Sequence, residues 1–371
     1  MSLKLKPVNV GIIGCGNISD AYFGTFPRYP IAKMAAVADM IPERAQAKAE
    51  KYGIEKAYSV AEMLADPEIE IVLNLTIPNA HYDVSMQAVR AGKNVYNEKP
   101  LCITRAEGAE LIAEAKKRGL LVGCAPDTVL GGGHQICRSL INSGAIGSPV
   151  GVVANMLCHG HESWHPAPEF YYKVGGGPMF DMGPYYLTAL VTMLGPVKKV
   201  AGLTRITFPE RTITSEPLNG TKVTVDVPTH VTGLLLFENG AIGNITTSFD
   251  VWAANMPCIE VFGTEGSLSV PDPNGFGGVP KIKKQGDAEW SEVEWNSKFS
   301  EGSRGLGVAD MAYSIRTGRP HRASGAIADH VLEIMHAIHT ASTTASYVDI
   351  TSTFEIPKVF PEGLEAGMLD E

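Results

Sequence analysis

Val8-Asn9-Val10-Gly11-Ile12-Ile13-Gly14-Cys15-Gly16-Asn17-Ile18-Ser19 is the stretch that decides the fold. Its first six residues form a short apolar run with β-branched side chains, the composition of a strand buried on both faces. A Gly-x-Gly turn follows at once, and a helix pattern occupies 17–26. Strand, glycine loop and helix in that order are the context a dinucleotide loop needs. Gly14 permits the tight turn, and Gly16 lets backbone approach a pyrophosphate at a helix N-terminus. Asn17 and Ile18 belong to the same expected cofactor loop. Ser19 stands where such loops carry a third Gly or Ala, and it is small enough for close packing.

Outward from this loop, strand and helix patterns alternate. Strands are expected at 32–38, near Tyr58, and at 69–75, 94–97 and 120–124, with helices at 80–91 and 104–118 and another opening at Pro42. This alternation predicts a doubly wound parallel sheet over residues 1–126. Asp39 ends the second strand, where an acid accepts from ribose hydroxyls. It favours NAD, because it repels the extra phosphate of NADP, while Arg44 keeps NADP open. Thr76, Pro78, Asn79 and His81 follow the fourth strand and are expected to line the nicotinamide ribose. Asn79 also suits a helix cap. Glu98 and Lys99, in Glu98-Lys99-Pro100, sit just past the fifth strand, at the carboxyl edge where open α/β sheets bind ligands.

After Pro126 the pattern changes. Extended β-rich segments appear at 150–158, 197–208, 231–237, 242–249 and 259–262, with a hairpin signal at Glu238-Asn239-Gly240. Helices are expected at 127–143, 181–194 and 326–342. Residues 127–371 therefore read as an α+β domain with a large open, mainly antiparallel sheet. The acidic tail 361–371 is expected to be mobile or to lie across a surface.

The bulk composition excludes several classes. The 371 residues suit two domains, and 44% hydrophobic with 19% charged residues is globular. A net charge of −9 without a basic block argues against nucleic acid. No apolar run approaches a membrane span, and the start Met1-Ser2-Leu3-Lys4 lacks a signal-peptide core. Six scattered cysteines without a CxxC pair read as reduced, so the expected location is the cytoplasm. His159, His161 and His165 cluster, but no suitably spaced Cys or carboxylate set accompanies them, and no metal is expected.

In order, the glycine loop, 76–81, Glu98-Lys99-Pro100 and Gly175-Gly176-Gly177-Pro178-Met179-Phe180-Asp181-Met182-Gly183 make the chain resemble the Gfo/Idh/MocA oxidoreductases. The resemblance spans nearly the whole chain. It implies a Rossmann domain, NAD(P), a sugar, polyol or related substrate, a cis Lys99–Pro100 bond, and a homodimer or homotetramer built on the second sheet. Many members carry histidine four positions after the aspartate. Tyr185 stands there, as in the glucose–fructose oxidoreductase and dihydrodiol dehydrogenase branches.

Oxidising a secondary alcohol requires a hydride acceptor and somewhere for the hydroxyl proton to go. Lys99, Asp181 and Tyr185 are the expected catalytic set: Tyr185 exchanges the proton, Lys99 assists and polarises the substrate oxygen, and Asp181 orients. If one helix begins near Asp181, its side chain and that of Tyr185 share a face. Asp127, Trp164, His165 and Tyr171 are expected to meet the substrate, with aromatic faces suited to a sugar ring. Two other functions fit the same residues: an NAD-retaining glycoside hydrolase, and a nucleotide-binding regulator without catalysis.

Overall fold

Parallel pairing of apolar strands builds the first layer. The computed structural model describes residues 5–371, so the reading of the first four residues lies outside it. Strands β1 (Val8–Ile13), β2 (Ala32–Ala38), β3 (Lys56–Tyr58), β4 (Ile71–Asn74), β5 (Asn94–Asn97) and β6 (Val122–Cys124) form one sheet in the order β3-β2-β1-β4-β5-β6. Every neighbouring pair is parallel. This is the Rossmann order, whose switch point falls between β1 and β4. Four helices join these strands: α1 (Ser19–Thr25), α2 (Pro42–Tyr52), α3 (Val60–Ala65) and α4 (His81–Arg90). A fifth, α5 (Arg105–Lys117), leads into β6. The ends of α5 follow local chemistry. Thr104 and Glu107 close a capping box, and Gly119 beyond the C-terminus takes φ 68°.

The second layer is a nine-stranded sheet. In chain order its strands are β7 (Pro149–Leu157), β8 (Val197–Arg205), β11 (His230–Phe237), β12 (Ile242–Ser248), β13 (Ile259–Gly263), β14 (Gly266–Val270), β15 (Lys281–Lys284), β16 (Ser291–Glu292) and β17 (Val348–Asp349), with a separate hairpin of β9 (Glu210–Thr212) and β10 (Lys222–Thr224) between β8 and β11. Only β7 and β12 pair in parallel. Between β6 and β7 runs α6 (Gly132–Asn142), and α7 (Gly177–Asp181) and α8 (Gly183–Leu194) precede β8. Helix α8 is apolar on every side and buried on every side, as such a helix must be. It packs against β7, α6 and α10 (Gly325–Thr344), and α10 also covers β8 and α5.

Two features depart from the expectation. Helix α9 (Leu306–Thr317) went unseen in the pattern, yet its first nine residues are buried and it packs on β6 and β2 of the parallel sheet. Its cap is not local: the Asp127 carboxylate accepts from the N–H groups of Gly305 and Gly307. Second, Asp181 and Tyr185 do not share a helix. Helix α7 ends at Asp181 and α8 starts at Gly183, with Pro184 in its first turn. The tail takes the second of its two expected arrangements and packs across the surface. Leu369 is buried, and Arg322 holds Asp370 at 2.6 Å.

Among the described residues, no helix is long and apolar enough to cross a membrane. All six cysteines are free thiols.

Candidate active site

The glycine loop ends β1 at the switch point. Gly14 takes φ 105°, and a Cβ there would meet the Leu75 backbone at 2.6 Å. Only glycine fits both constraints. Gly16 faces open space, and no group among the described residues accepts from the N–H of Gly16, Asn17 or Ile18. The buried Ser19 hydroxyl donates to the Gly16 carbonyl at 2.6 Å, which closes the turn. A bent backbone with unpartnered, outward N–H groups suits an anion such as pyrophosphate. Asp39 braces this loop from β2. Its Oδ2 accepts from Cys15 N–H at 2.7 Å and its Oδ1 from Ile41 N–H at 2.9 Å. Arg44 lies exposed on the first turn of α2.

At the end of β4, Thr76 donates its hydroxyl to Asn74 Oδ1 at 2.7 Å. Pro78 and Asn79 form a single 3₁₀ turn, and Asn79 is exposed. His81 corrects the expectation. Its ring is buried between the carbonyls of Pro100, at 2.6 Å from Nδ1, and Thr76, at 3.1 Å from Nε2. Burial pushes its pKa down. The ring lies between the two strand ends and does not line the groove. Glu98 is also turned inward: Tyr22 of α1 donates to its Oε1 at 2.8 Å, and Lys99 N–H to its Oε2 at 3.0 Å. The Lys99–Pro100 bond is cis.

Lys99 spans the cleft. Its Nζ lies 2.6 Å from the Asp181 carbonyl oxygen and 2.8 Å from Asp181 Oδ1. Burial opposes the Lys99 charge, but the Asp181 carboxylate outweighs it and raises the lysine pKa. Burial likewise opposes the Asp181 charge, and Lys99 with His161 outweighs it, holding that carboxyl at about 2. The Lys99 ammonium also stands 5.2 Å from the centre of the Tyr185 ring. Tyr185 lies in the first turn of α8, so it and Asp181 both reach Lys99 without sharing a helix.

The substrate side differs from expectation at Asp127. Asp127 is fully buried, capping α9, and does not reach the cleft. His165 is half-buried, with Nδ1 accepting from Ala167 N–H at 3.0 Å. The histidine at the carboxylate is His161, whose Nε2 is 3.4 Å from Asp181 Oδ2. Tyr171 packs on the His161 ring at 4.1 Å, Phe249 at 4.6 Å and Trp164 edge-on at 5.2 Å. Trp164 keeps 60% of its surface exposed. The glycines at 175–177 serve chain packing, because a Cβ at Gly176 would meet the Phe170 carbonyl oxygen at 2.5 Å.

Sequence reasoning also missed Arg304. Its Nη2 lies 3.4 Å from the Tyr185 hydroxyl, and its Nη1 lies 3.6 Å from Asp127 Oδ1. Nothing local marks it: it follows an irregular stretch and reaches Tyr185 across 119 residues of sequence. His161 carried a weak signal, as one of three closely spaced histidines.

A model described as an oxidoreductase family with an NAD-binding Rossmann fold matches residues 8–125, and one for the GFO/IDH/MocA C-terminal domain matches 134–269. The chain is 26% identical to myo-inositol 2-dehydrogenase of Thermotoga maritima, over 70% of this chain and 74% of that protein. It is 30% identical to trans-1,2-dihydrobenzene-1,2-diol dehydrogenase of Bos taurus, over 71% of this chain and 74% of that protein. A solved structure of levoglucosan dehydrogenase with NADH and L-sorbose superposes with a TM-score of 0.82 at 22% identity, covering 94% of this chain and all of that one. That likeness establishes the shared fold.

Proposed function

The chain belongs to the Gfo/Idh/MocA family of NAD-binding oxidoreductases, and from that premise we propose that it moves a hydride between NAD and a secondary alcohol or carbonyl of a sugar, polyol or related compound. The observation that carries this reading is the clamp of Lys99 on Asp181, with Tyr185 and His161 beside it. The names of the relatives, an inositol and a dihydrodiol dehydrogenase, support a polyhydroxylated substrate.

The glycine loop would hold the cofactor pyrophosphate with the N–H groups of Gly16, Asn17 and Ile18, and Asp39 would meet the adenosine ribose. NAD held there would supply the hydride acceptor for the carbinol carbon. Lys99 has three protons, and two are committed to Asp181. The third is available to the substrate oxygen, where a fixed positive charge stabilises a developing alkoxide. Because Asp181 keeps the lysine charged, Lys99 is a poor base, and Tyr185, as the phenolate, takes the alcohol proton and returns to the neutral phenol. Asp181 holds Lys99 and His161 in place, so the pair orients substrate oxygens on both sides. Tyr171 and Trp164 supply faces for a sugar ring.

On the open face of the nine-stranded sheet, Leu203, Leu234 and Ile242 stand exposed. A second copy of this chain covers that face in this reading, and light scattering on the purified protein tests it.

The decisive experiment is a panel of sugars and polyols, with NAD and NADP scored separately by absorbance near 340 nm. Turnover with at least one polyol and NAD is expected. Net turnover with none, in either direction, would refute the reading. Tyr185→Phe at full turnover would remove the tyrosine from proton transfer.

A further inference from the structure

Tyr185 faces two cations. Lys99 reaches its ring, and Arg304 reaches its hydroxyl. Since Lys99 is bound to Asp181, the guanidinium is the cation directed at the phenol oxygen. The geometry points to Arg304 as a positioning residue that acts through Tyr185: we propose that it orients the phenol for proton exchange and stabilises it once the proton has left. This inference rests on the proton-transfer role given to Tyr185 above.

Three observations carry it. First, the guanidinium is held from behind. Asp127, fully buried, lies 3.6 Å from Nη1, and the Arg304 side chain keeps only 14% of its surface exposed. Second, the backbone under Arg304 is anchored to the nucleotide-binding layer. Thr25 of α1 donates its hydroxyl to the Arg304 carbonyl, and Tyr29 donates to the Ser303 carbonyl at 2.8 Å. Arg28 reaches the carbonyls of Glu301 and Gly302 at 3.3 and 3.1 Å. Third, the same Asp127 carboxylate caps the following helix through Gly305 and Gly307, so the strap enters α9 in a defined direction. Arg304 thus couples the first helix of the nucleotide layer to the phenol at the start of α8.

The contact is long, at 3.4 Å, as hydrogen bonds in a resting site often are. As the alcohol proton moves onto the tyrosine or away from it, the phenol oxygen alternates between neutral and anionic. The anionic form makes a charge-assisted bond with the guanidinium, shorter and stronger than the neutral one. Arginine does not carry the proton, because it stays charged throughout. Its work is to fix the oxygen and bear the charge.

A double-mutant cycle on the full-length enzyme with NAD and an active polyol separates this role from a structural one. Arg304→Gln is expected to lower kcat on the order of 10- to 100-fold, the worth of a hydrogen bond to a charged group. The KM for NAD should stay within about twofold, since the residue does not touch the phosphate loop. In the Tyr185→Phe background the same substitution should cost less than about twofold, because its only route to the reaction is gone. Arg304→Lys keeps the charge and guards against misfolding, and it should recover part of the lost kcat. An equal loss in both backgrounds would overturn the proposal and make Arg304 a structural residue, as would wild-type kcat in Arg304→Gln. If Tyr185→Phe alone retains full turnover, the failure lies in the tyrosine's role, and this inference falls with it.

Discussion

Lys99 Nζ donates to both the main-chain oxygen and Oδ1 of Asp181, at 2.6 and 2.8 Å. A lysine bound twice by one residue has a single free proton and a fixed direction. Its charge is therefore a permanent part of the site. Lys99→Met should lower kcat by about 10²- to 10³-fold, the usual loss when one electrostatic stabiliser is removed. NADH affinity, read by fluorescence titration, should change little. A loss of less than about threefold in kcat would remove Lys99 from the chemistry.

The same pair predicts a pH dependence of stability. Asp181 titrates at about 2 in the folded chain, against 3.8 for the ordinary side chain. A depressed carboxyl stabilises the fold above its unfolded pKa, and that contribution fades as pH falls through the folded value. Urea unfolding of the wild type and of Asp181→Asn should therefore differ most above about pH 4 and converge towards about pH 2. A difference that does not change over this range would mean the carboxylate charge adds nothing to folding.

Gly14→Ala places a Cβ 2.6 Å from the Leu75 backbone at a residue with φ 105°. Loop and switch point must shift together. Affinity for NAD should fall by about tenfold or more, with destabilisation of roughly 1–3 kcal/mol. Calorimetric titration and thermal melting read the two effects separately.

Asp39→Ser should blunt the choice of cofactor. It removes the charge that opposes a 2′-phosphate, and it frees the N–H groups of Cys15 and Ile41. The ratio of kcat/KM for NAD over NADP should fall by about tenfold or more. An unchanged ratio would limit Asp39 to bracing the loop.

His161→Ala and His165→Ala form a contrasting pair. His161 is buried against Asp181, whereas His165 accepts from a neighbouring backbone N–H. The first should lower kcat/KM by about tenfold or more, and the second by less than about threefold. The opposite ranking would return His165 to the substrate.

The parts of the site legible in the sequence are those set by neighbours in the chain. Gly14 and Gly16 were visible because a tight turn after an apolar strand needs them there. Lys99 was visible because it follows β5 at a sheet edge. Thr104 and Glu107 announce α5 by closing a capping box three residues apart. His81 misled because its place after β4 resembles a lining position, yet buried carbonyls on two strand ends claimed its ring. Asp127 misled for the same reason, since backbone N–H groups 178 and 180 residues away needed its carboxylate.

By itself, then, the sequence determined the parallel sheet and the phosphate loop, which follow from strand periodicity, glycine conformation and short-range spacing, all acting within a few residues. Asp181 and Tyr185 stood out only through the family resemblance. Only the tertiary structure decided which partners those groups take. Asp181 and Tyr185 both reach Lys99 across a break between two helices, His161 and not His165 lies against the Asp181 carboxylate, and Arg304 arrives from an unpatterned strap. The physical reason is that buried charges and orphaned backbone donors are satisfied through space, by whichever group packing delivers, and one-dimensional spacing carries no record of that delivery.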